Sequence, residues 1–162
     1  MTRRSPAQLD LLGRRLGRDL ALFFPAPSGW WEDADLARAS GGRPRRRDLA
    51  LVEGIPAADQ FLANRLKTHK GELTPLGHPE YGSRHHELIG EPNVQRTRNL
   101  IKLHVLEALS HEPRIKEITR CEVRPGHVPP RDIVRIEVDL VLLDEDTPRN
   151  LVVPFSLSTG AE

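Results

Sequence analysis

The spacing of apolar residues along the chain predicts four helices. Leucines recur every three or four residues over residues 6–22, behind a Ser-Pro start, which is typical of an amphipathic helix. A second helix is predicted over about residues 56–71, and a short one over residues 84–89 follows Ser83 as its cap. The clearest helical period belongs to a long helix that Asn93 is expected to cap. Its apolar stripe consists of Val94, Thr97, Leu100, Ile101, Val105, Ala108 and Leu109.

After residue 113 the pattern changes to the alternation of apolar and polar residues that is typical of β-strands. An irregular strand is predicted over residues 115–123 and a regular one over residues 133–143. A last strand over residues 151–157 contains Pro154, which has no backbone N–H and therefore predicts a position at the edge of a sheet. With a further short strand over residues 48–53, we expect an α+β fold in which helices pack on a small, mostly antiparallel sheet.

The charge distribution separates the first residues from the rest. Residues 1–47 hold ten Arg and five Asp or Glu, a net charge of +5, whereas residues 48–162 carry −4. We predict an N-terminal extension over residues 1–47, made of a helix and a Pro/Gly/Arg-rich linker, and a domain over residues 48–162. No internal repeat is predicted. The aromatic residues of the linker are expected to dock onto a surface of this protein or of a partner; they are Phe23, Phe24, Trp30 and Trp31.

The sequence favours a protein that assembles in a reducing compartment, the cytoplasm. No apolar run approaches the ~20 residues of a membrane-spanning helix, and charges interrupt the stretch that would form the apolar part of a signal peptide. Cys121 is the single cysteine, so neither an intrachain disulfide nor a thiolate metal cluster is expected.

Several glutamates are candidates for the acid and base of glycosidic-bond hydrolysis, which needs a protonated carboxyl group and a second carboxylate across a cleft. Nothing in the sequence pairs two of them or provides an apolar pocket that would raise a pKa. Aromatic residues, which would stack on sugars, are only 4% of the chain. A surface or structural role is therefore favoured for these carboxylates. The candidates are Glu72, Glu80, Glu87, Glu91 and Glu112.

Metal and nucleic-acid sites have weaker support. The histidines lack the spacing of metal ligands, and adjacent histidines on one short helix do not face one ion. They are His78, His85, His86, His104 and His111. The basic run RPRRR at residues 43–47 is short and precedes no recognisable nucleic-acid module. We therefore expect no metal, no cofactor and no nucleic-acid partner.

The sequence Glu112-Pro113-Arg114 stands where the long helix must end. Pro113 disfavours helical geometry at the residue before it, and Arg114 carries a planar guanidinium that can hold a carboxylate through two hydrogen bonds. The arrangement fits either a contact with a partner or a helix end with an intramolecular ion pair. The residues alone favour the ion pair.

Taken in order, these segments resemble the GpW/gene-product-25 baseplate wedge family of contractile tails, R-type pyocins and injection systems, which is similar to TssE of type VI secretion. The resemblance covers about residues 48–157. It is carried by the stretch DLALVEGIPAADQFLANRLKTHKGELTPLGHPEYGSRHHELIGEPN, by EPRI after the long helix, and by NLVVPFSL at the last strand. Any one piece alone would be weak, but their order is specific.

The resemblance implies a structural, non-enzymatic role in the inner baseplate, with six copies per baseplate. Its expected partners are wedge proteins, the sheath protein and inner tube or hub proteins, and no membrane. Glu112, Pro113 and Arg114 match the family's wedge-docking motif. The last strand is expected to exchange strands with the sheath, through Leu151, Val152, Val153, Phe155 and Leu157. Since the family's older label is lysozyme-like, a cell-wall hydrolase on a tail baseplate remains the alternative. The resemblance does not cover residues 1–47.

Overall fold

The computed structural model describes residues 14–23, 35–39, 48–126, 132–143 and 145–158. The chain divides into two compact units, Met1–Phe61 and Leu62–Glu162. Besides the helical residues 14–16, the described residues include α1 (Ile55–Lys67) and α2 (Gln95–Ser110), with the short 3₁₀ helices η1 (Thr74–Leu76) and η2 (Arg84–Leu88). The strands are β1 (Arg18–Leu20), β2 (Leu22–Phe23), β3 (Asp35–Leu36), β4 (Leu51–Glu53), β5 (Ile115–Pro125), β6 (Ile133–Leu142) and β7 (Arg149–Ser156).

Three short segments of the first unit pair with one another. β1 pairs with β4, β2 pairs with β3, and an antiparallel bridge joins Arg38 to Leu49. The same tripeptide, Asp-Leu-Ala, occurs in each segment, at residues 19–21, 35–37 and 48–50. In every copy the leucine N–H donates to Oδ1 of the preceding aspartate, at 2.7, 2.8 and 3.0 Å in chain order.

The alanines of the three tripeptides close a ring of main-chain hydrogen bonds. The N–H of Ala21 donates to the carbonyl of Ala50 at 2.8 Å, that of Ala50 to Ala37 at 2.9 Å, and that of Ala37 to Ala21 at 2.8 Å. Each segment therefore holds the other two. One local geometry therefore recurs three times in a unit of three residues, which is far shorter than the roughly 20–50 residues of the units in repeat proteins.

The predicted helix over residues 6–22 ends earlier than its leucine spacing indicates. Residues 14–16 are helical, and Gly17 follows at φ +97°, the left-handed conformation in which helices commonly end. Strand pairing overrides the helical period over residues 18–23, because β1 pairs with β4 and β2 pairs with β3. β3 lies within the predicted linker. The aromatic residues Phe24, Trp30 and Trp31, the side chain of Phe23 and the basic run at residues 43–47 lie outside the described part of the chain.

The long helix is confirmed, but its first residue differs from the prediction. Val94, not Asn93, occupies the capping position of α2, and no side chain caps the helix. Oδ1 of Asn93 instead accepts a hydrogen bond from Nη1 of Arg98 at 2.7 Å. The predicted stripe is buried at Thr97, Ile101, Val105, Ala108 and Leu109, whereas Val94 is 48% exposed. The second predicted helix also ends earlier, at Lys67.

The second unit contains the predicted antiparallel sheet, in the order β5-β6-β7. Alternate side chains of β6 and β7 are buried, and they include Ile136, Val138, Leu151 and Val153. α2 packs against β5 and η2. The other face of the sheet is charged, with Arg120 bonded to Asp139 at 2.7 Å across β5 and β6. Two register shifts in β5 account for its irregular pattern, and the predicted α+β fold is confirmed.

Candidate functional site

The segment from His111 to Arg114 forms the corner between α2 and β5. His111 ends the helix, and the N–H of Glu112 still donates to the carbonyl of Leu109 at 3.0 Å. Pro113 then interrupts the helical ladder because it has no N–H to donate. On the far side the carbonyl of Arg114 accepts from the N–H of Leu143 at 2.8 Å. Main-chain bonds therefore fix both ends of the corner.

Glu112 points into the protein, where its carboxylate meets two arginines. Its side chain is only 1% exposed. Oε1 accepts from Nε of Arg114 at 2.8 Å and from the Arg114 backbone N–H at 3.1 Å. Oε2 lies 3.7 Å from Nη2 of Arg65, a residue of α1 that is itself 9% exposed at its side chain. A buried carboxylate needs such partners, since its isolated charge is strongly disfavoured.

Arg65 ties this carboxylate to two further elements. Its Nη1 donates to the carbonyl of Ala108 in α2 at 3.3 Å, and its guanidinium carbon lies 4.8 Å from the centre of the Tyr81 ring. The intramolecular ion pair that the residues alone favoured is therefore present. What the corner presents outward is Pro113, which is exposed, and the outer part of Arg114, whose side chain is 28% exposed.

Gly82 closes the loop that carries Tyr81, and a larger residue at this position would force the neighbouring backbone to shift. Gly82 has φ +98°, and a Cβ built there would lie 2.5 Å from the carbonyl oxygen of His69. Next to it the N–H of Ser83 donates to the carbonyl of Thr68 at 2.9 Å, so the two ends of the loop pair. The HPEYGS segment thus brings Tyr81 and the η2 helix to fixed positions.

Three histidines stack beneath the last strand. The rings of His69 and His86 lie 4.2 Å apart, as do those of His85 and His86, and the Phe155 ring of β7 meets His85 edge-on at 4.5 Å. Nδ1 of His85 bonds to the Ser83 hydroxyl at 2.8 Å. Burial lowers the pKa of His85 well below its ordinary value, and the adjacent His86 lowers it further. Burial likewise lowers the pKa of His86, so both rings favour the neutral form.

β7 forms one edge of the described sheet. The N–H of Leu157 donates to the carbonyl of Asp132 at 2.8 Å, and the register of β6 and β7 continues from that pair. Because main-chain groups alternate in direction along an antiparallel strand, the odd-numbered residues of β7 bond to β6 and the even-numbered ones face outward. Of the five residues predicted to exchange strands with a sheath, Val152 alone therefore presents its N–H and carbonyl at the edge. The side chains of the other four are buried.

The candidate catalytic carboxylates lie in ion pairs or on the surface. Lys70 bridges Glu80 at 3.2 Å and Glu107 at 3.1 Å, and Arg84 lowers the pKa of Glu87 through their hydrogen bonds. A general acid in a glycosidase needs a raised pKa, whereas the pKa of Glu87 is lowered. The hollow between Lys70 and His111 has no enclosed space that would admit even a water molecule, whereas typical ligand pockets hold roughly 300–1,000 Å³.

No group of three or more His, Cys, Asp or Glu side chains in the described part of the chain is arranged to hold a metal ion, although His69, His85 and His86 come together. Among the same residues, no helix is long and apolar enough to cross a membrane.

Comparison with known proteins supplies one informative similarity. No protein-family profile matches the chain, and no curated protein matches it. Among solved structures, it is similar to a Geobacter sulfurreducens protein provisionally named a tail lysozyme. The two chains are 28% identical, the TM-score is 0.54, and the match covers 64% of this chain and 90% of the other. The chain resembles a tail-associated protein. The similarity supports a tail-associated family.

The sequence located the corner at residues 112–114 but missed Arg65 and the histidine stack. Arg65 stands in the last turn of α1, where a basic residue is commonly found at a helix end, so nothing in the sequence marked it as a partner of Glu112. His69 was absent from the candidate histidines because its contact with His86 depends on how the loop folds back.

Proposed function

We propose that this chain is a structural component of a contractile-tail or injection-system baseplate, which docks on the wedge and initiates sheath assembly. The observation that carries the proposal is the fixed corner between α2 and β5, in a chain whose fold resembles a tail-associated protein. The corner matches the wedge-docking motif at Glu112, Pro113 and Arg114.

The contacts of the corner divide the roles of the three residues. Glu112 is a positioning residue, because its carboxylate is buried and holds the Arg114 side chain at 2.8 Å. Pro113 and the exposed part of Arg114 form the contact with the wedge. An arginine that a carboxylate holds presents the exposed part of its guanidinium in a fixed direction, which suits contact with a partner protein.

The edge of β7 supplies the second contact of the proposal. Outward-facing N–H and carbonyl groups of an edge strand are a template for a strand of another chain. A sheath subunit that adds or exchanges a strand there would continue the sheet. Because the odd-numbered residues of β7 bond to β6, the main-chain groups that would pair with a sheath strand belong to even-numbered residues. Val152 is the one at the centre of the strand.

The experiment on this proposal is to purify contractile particles from cells that carry the whole gene cluster. We expect the chain in the baseplate at six copies per particle, and we expect particles without extended sheaths when its gene is deleted. Absence of the chain from purified baseplates, or full-length sheaths after the deletion, would refute the proposal.

We further propose that the first unit contacts a neighbouring baseplate or tube protein, through leucines exposed around the three Asp-Leu-Ala tripeptides. Leu36 is 43% exposed and Leu51 56% exposed. Deleting residues 1–47 would test this poorly, because β4 would lose its partner strand β1. The double change Leu36→Ser and Leu51→Ser alters exposed side chains alone. It should weaken baseplate assembly without unfolding the protein, and normal particle yield would count against the contact.

A hydrolase is the second candidate, favoured by the name of the Geobacter sulfurreducens protein. Under that function the purified chain degrades peptidoglycan, and Glu80→Gln or Glu112→Gln abolishes the activity while a folded control retains it. Under the structural function the wild-type protein is inert on cell walls. Lowered pKa values at Glu87 and Glu107 support the structural function.

A further inference from the structure

The edge of β7 has two halves that differ in what they offer an incoming strand. The outward-facing main-chain groups belong to Asn150, Val152, Pro154 and Ser156, by the alternation that the Leu157–Asp132 bond sets. Three of these residues offer both an N–H and a carbonyl. Pro154 offers a carbonyl alone, because its nitrogen carries no hydrogen.

The missing donor interrupts the ladder of a strand that runs along the whole edge. Such a strand would bring a carbonyl opposite Pro154, where it would find no N–H and would lose its water. A buried carbonyl without a partner is strongly disfavoured, and proline at an edge is a common protection against unwanted pairing. Pairing is therefore favoured on one side of Pro154 and interrupted across it.

The half that follows Pro154 is already fixed within the protein. Phe155 packs edge-on against the His85 ring at 4.5 Å. The carbonyl of Leu157 accepts from the N–H of Gly90 at 2.7 Å. The hydroxyl of Ser156 lies 2.7 Å from that of Ser158 and also accepts from its backbone N–H at 3.2 Å.

In the half that precedes Pro154, a side-chain hydrogen bond lies on the charged face of the sheet. Asn150 donates through Nδ2 to Oδ1 of Asp139 at 2.6 Å, on the charged face of the sheet. That bond orients the side chain and leaves the main-chain groups of Asn150 and Val152 directed outward. With the Pro154 carbonyl, this half presents two N–H groups and three carbonyls to a neighbouring strand.

We propose that Pro154 is a register-determining residue, which confines strand addition on β7 to residues 150–154 and prevents the free protein from pairing with itself along the whole edge. The occupant is a short β-strand of another chain, ending opposite Pro154. This inference rests on the proposed addition of a sheath strand at β7 and specifies its extent and its regulation.

Amide hydrogen exchange on the wild-type protein tests the register without any substitution. Exchange is compared between the free protein and assembled particles. The N–H groups of Asn150 and Val152 should gain protection of at least about tenfold on assembly, whereas that of Ser156 should be unchanged. Equal gains at Val152 and Ser156 would overturn the inference.

A second experiment measures self-association by sedimentation velocity, with circular dichroism to verify folding. Pro154→Val restores the donor and should lower the concentration at which the free protein associates by about tenfold, the effect of one added main-chain bond. Pro148→Ala, an exposed proline before β7, is the matched control and should behave as wild type. A folded Pro154→Val protein that sediments as wild type would contradict the protective role.

Val152→Pro separates this inference from the function on which it rests. The change removes a donor that faces outward, so the bonds between β6 and β7 remain. If the folded variant still yields full-length sheaths, strand addition at β7 fails as a function. If Val152→Pro particles lose their sheaths and the N–H of Ser156 gains protection in wild-type particles, strand addition at β7 is supported and the proposed limit at Pro154 is refuted.

Discussion

Replacing Arg65 should lower the free energy of unfolding more than replacing any arginine of a surface ion pair. In Arg65→Met the carboxylate of Glu112 stays buried, at 1% exposure, with one arginine beside it instead of two. Breaking a buried pair from one side typically costs about 3–5 kcal/mol. Since Arg114 remains at 2.8 Å, we expect the lower end, about 3 kcal/mol. Methionine retains most of the volume, so little of the effect comes from a cavity.

Urea unfolding followed by far-ultraviolet circular dichroism measures this loss. With a slope of about 2 kcal/mol/M for a chain of this size, the midpoint should fall by roughly 1.5 M. Arg84→Met is the matched control, since Arg84 pairs with Glu87 on the surface, where both side chains are about half exposed. A surface pair contributes about 0–1 kcal/mol, so that midpoint should shift by less than about 0.5 M.

A double-mutant cycle shows whether the effect belongs to the pair. Glu112→Gln alone leaves Arg65 buried without its carboxylate, and the double variant removes both charges. We expect the double variant to be more stable than the sum of the single effects predicts, by about 1–3 kcal/mol. Additive effects, or a shift in Arg65→Met no larger than in Arg84→Met, would refute the argument that this ion pair holds the corner.

Three other predictions concern the histidine stack, the loop that Gly82 closes and the ring of hydrogen bonds between Ala21, Ala37 and Ala50. Burial lowers the pKa of His85 and His86 in the folded protein, so the unfolded chain binds more protons as the pH falls. The melting temperature should therefore be highest above about pH 6.5 and fall below it. A constant melting temperature down to about pH 5 would contradict this. Gly82→Ala should lower the melting temperature more than Gly77→Ala, which has a similar positive φ but open space around a Cβ; equal effects would exclude the close contact. Ala50→Pro removes a donor of the alanine ring and should speed amide exchange at the other two alanines, which unchanged exchange would disprove.

The sheet and the long helix could be predicted because their patterns are local and strong. Alternation over β6 and the stripe of α2 each depend on which face of one element is buried, and both patterns were confirmed. Pro154 indicated an edge strand for a chemical reason that holds in any context. The same alternation could not say which main-chain groups face β6, because that depends on the register between two strands.

The first unit was harder to predict because its strands are two or three residues long. Each Asp-Leu-Ala tripeptide has little preference for a strand by itself, and its geometry depends on two other segments. The leucine spacing therefore favoured a helix that extends past Gly17. The recurring tripeptide was the signal that could have revealed the pairing of the three segments, since three copies lie within residues 19–50.

The candidate site was predictable in position and not in its contacts. Pro113 marks the end of α2 from the sequence alone, and Arg114 is a near neighbour of Glu112 along the chain. Arg65 is 47 residues from Glu112, and their contact requires α1 and α2 to pack together. Tertiary contacts of this kind leave no periodic signal in a single sequence.

The central claim is that the corner docks this protein in a baseplate so that a sheath can form. The most direct measurement is sheath length, by electron microscopy of particles that carry Arg114→Ala, beside particles that carry Arg124→Ala as a control on an arginine that is 52% exposed. We predict that the Arg114→Ala protein is less stable, because Glu112 keeps Arg65 alone beside its buried carboxylate, but still folds. Its particles should lack extended sheaths, and the control should have wild-type sheaths. Sheaths of wild-type length in Arg114→Ala particles would contradict the claim.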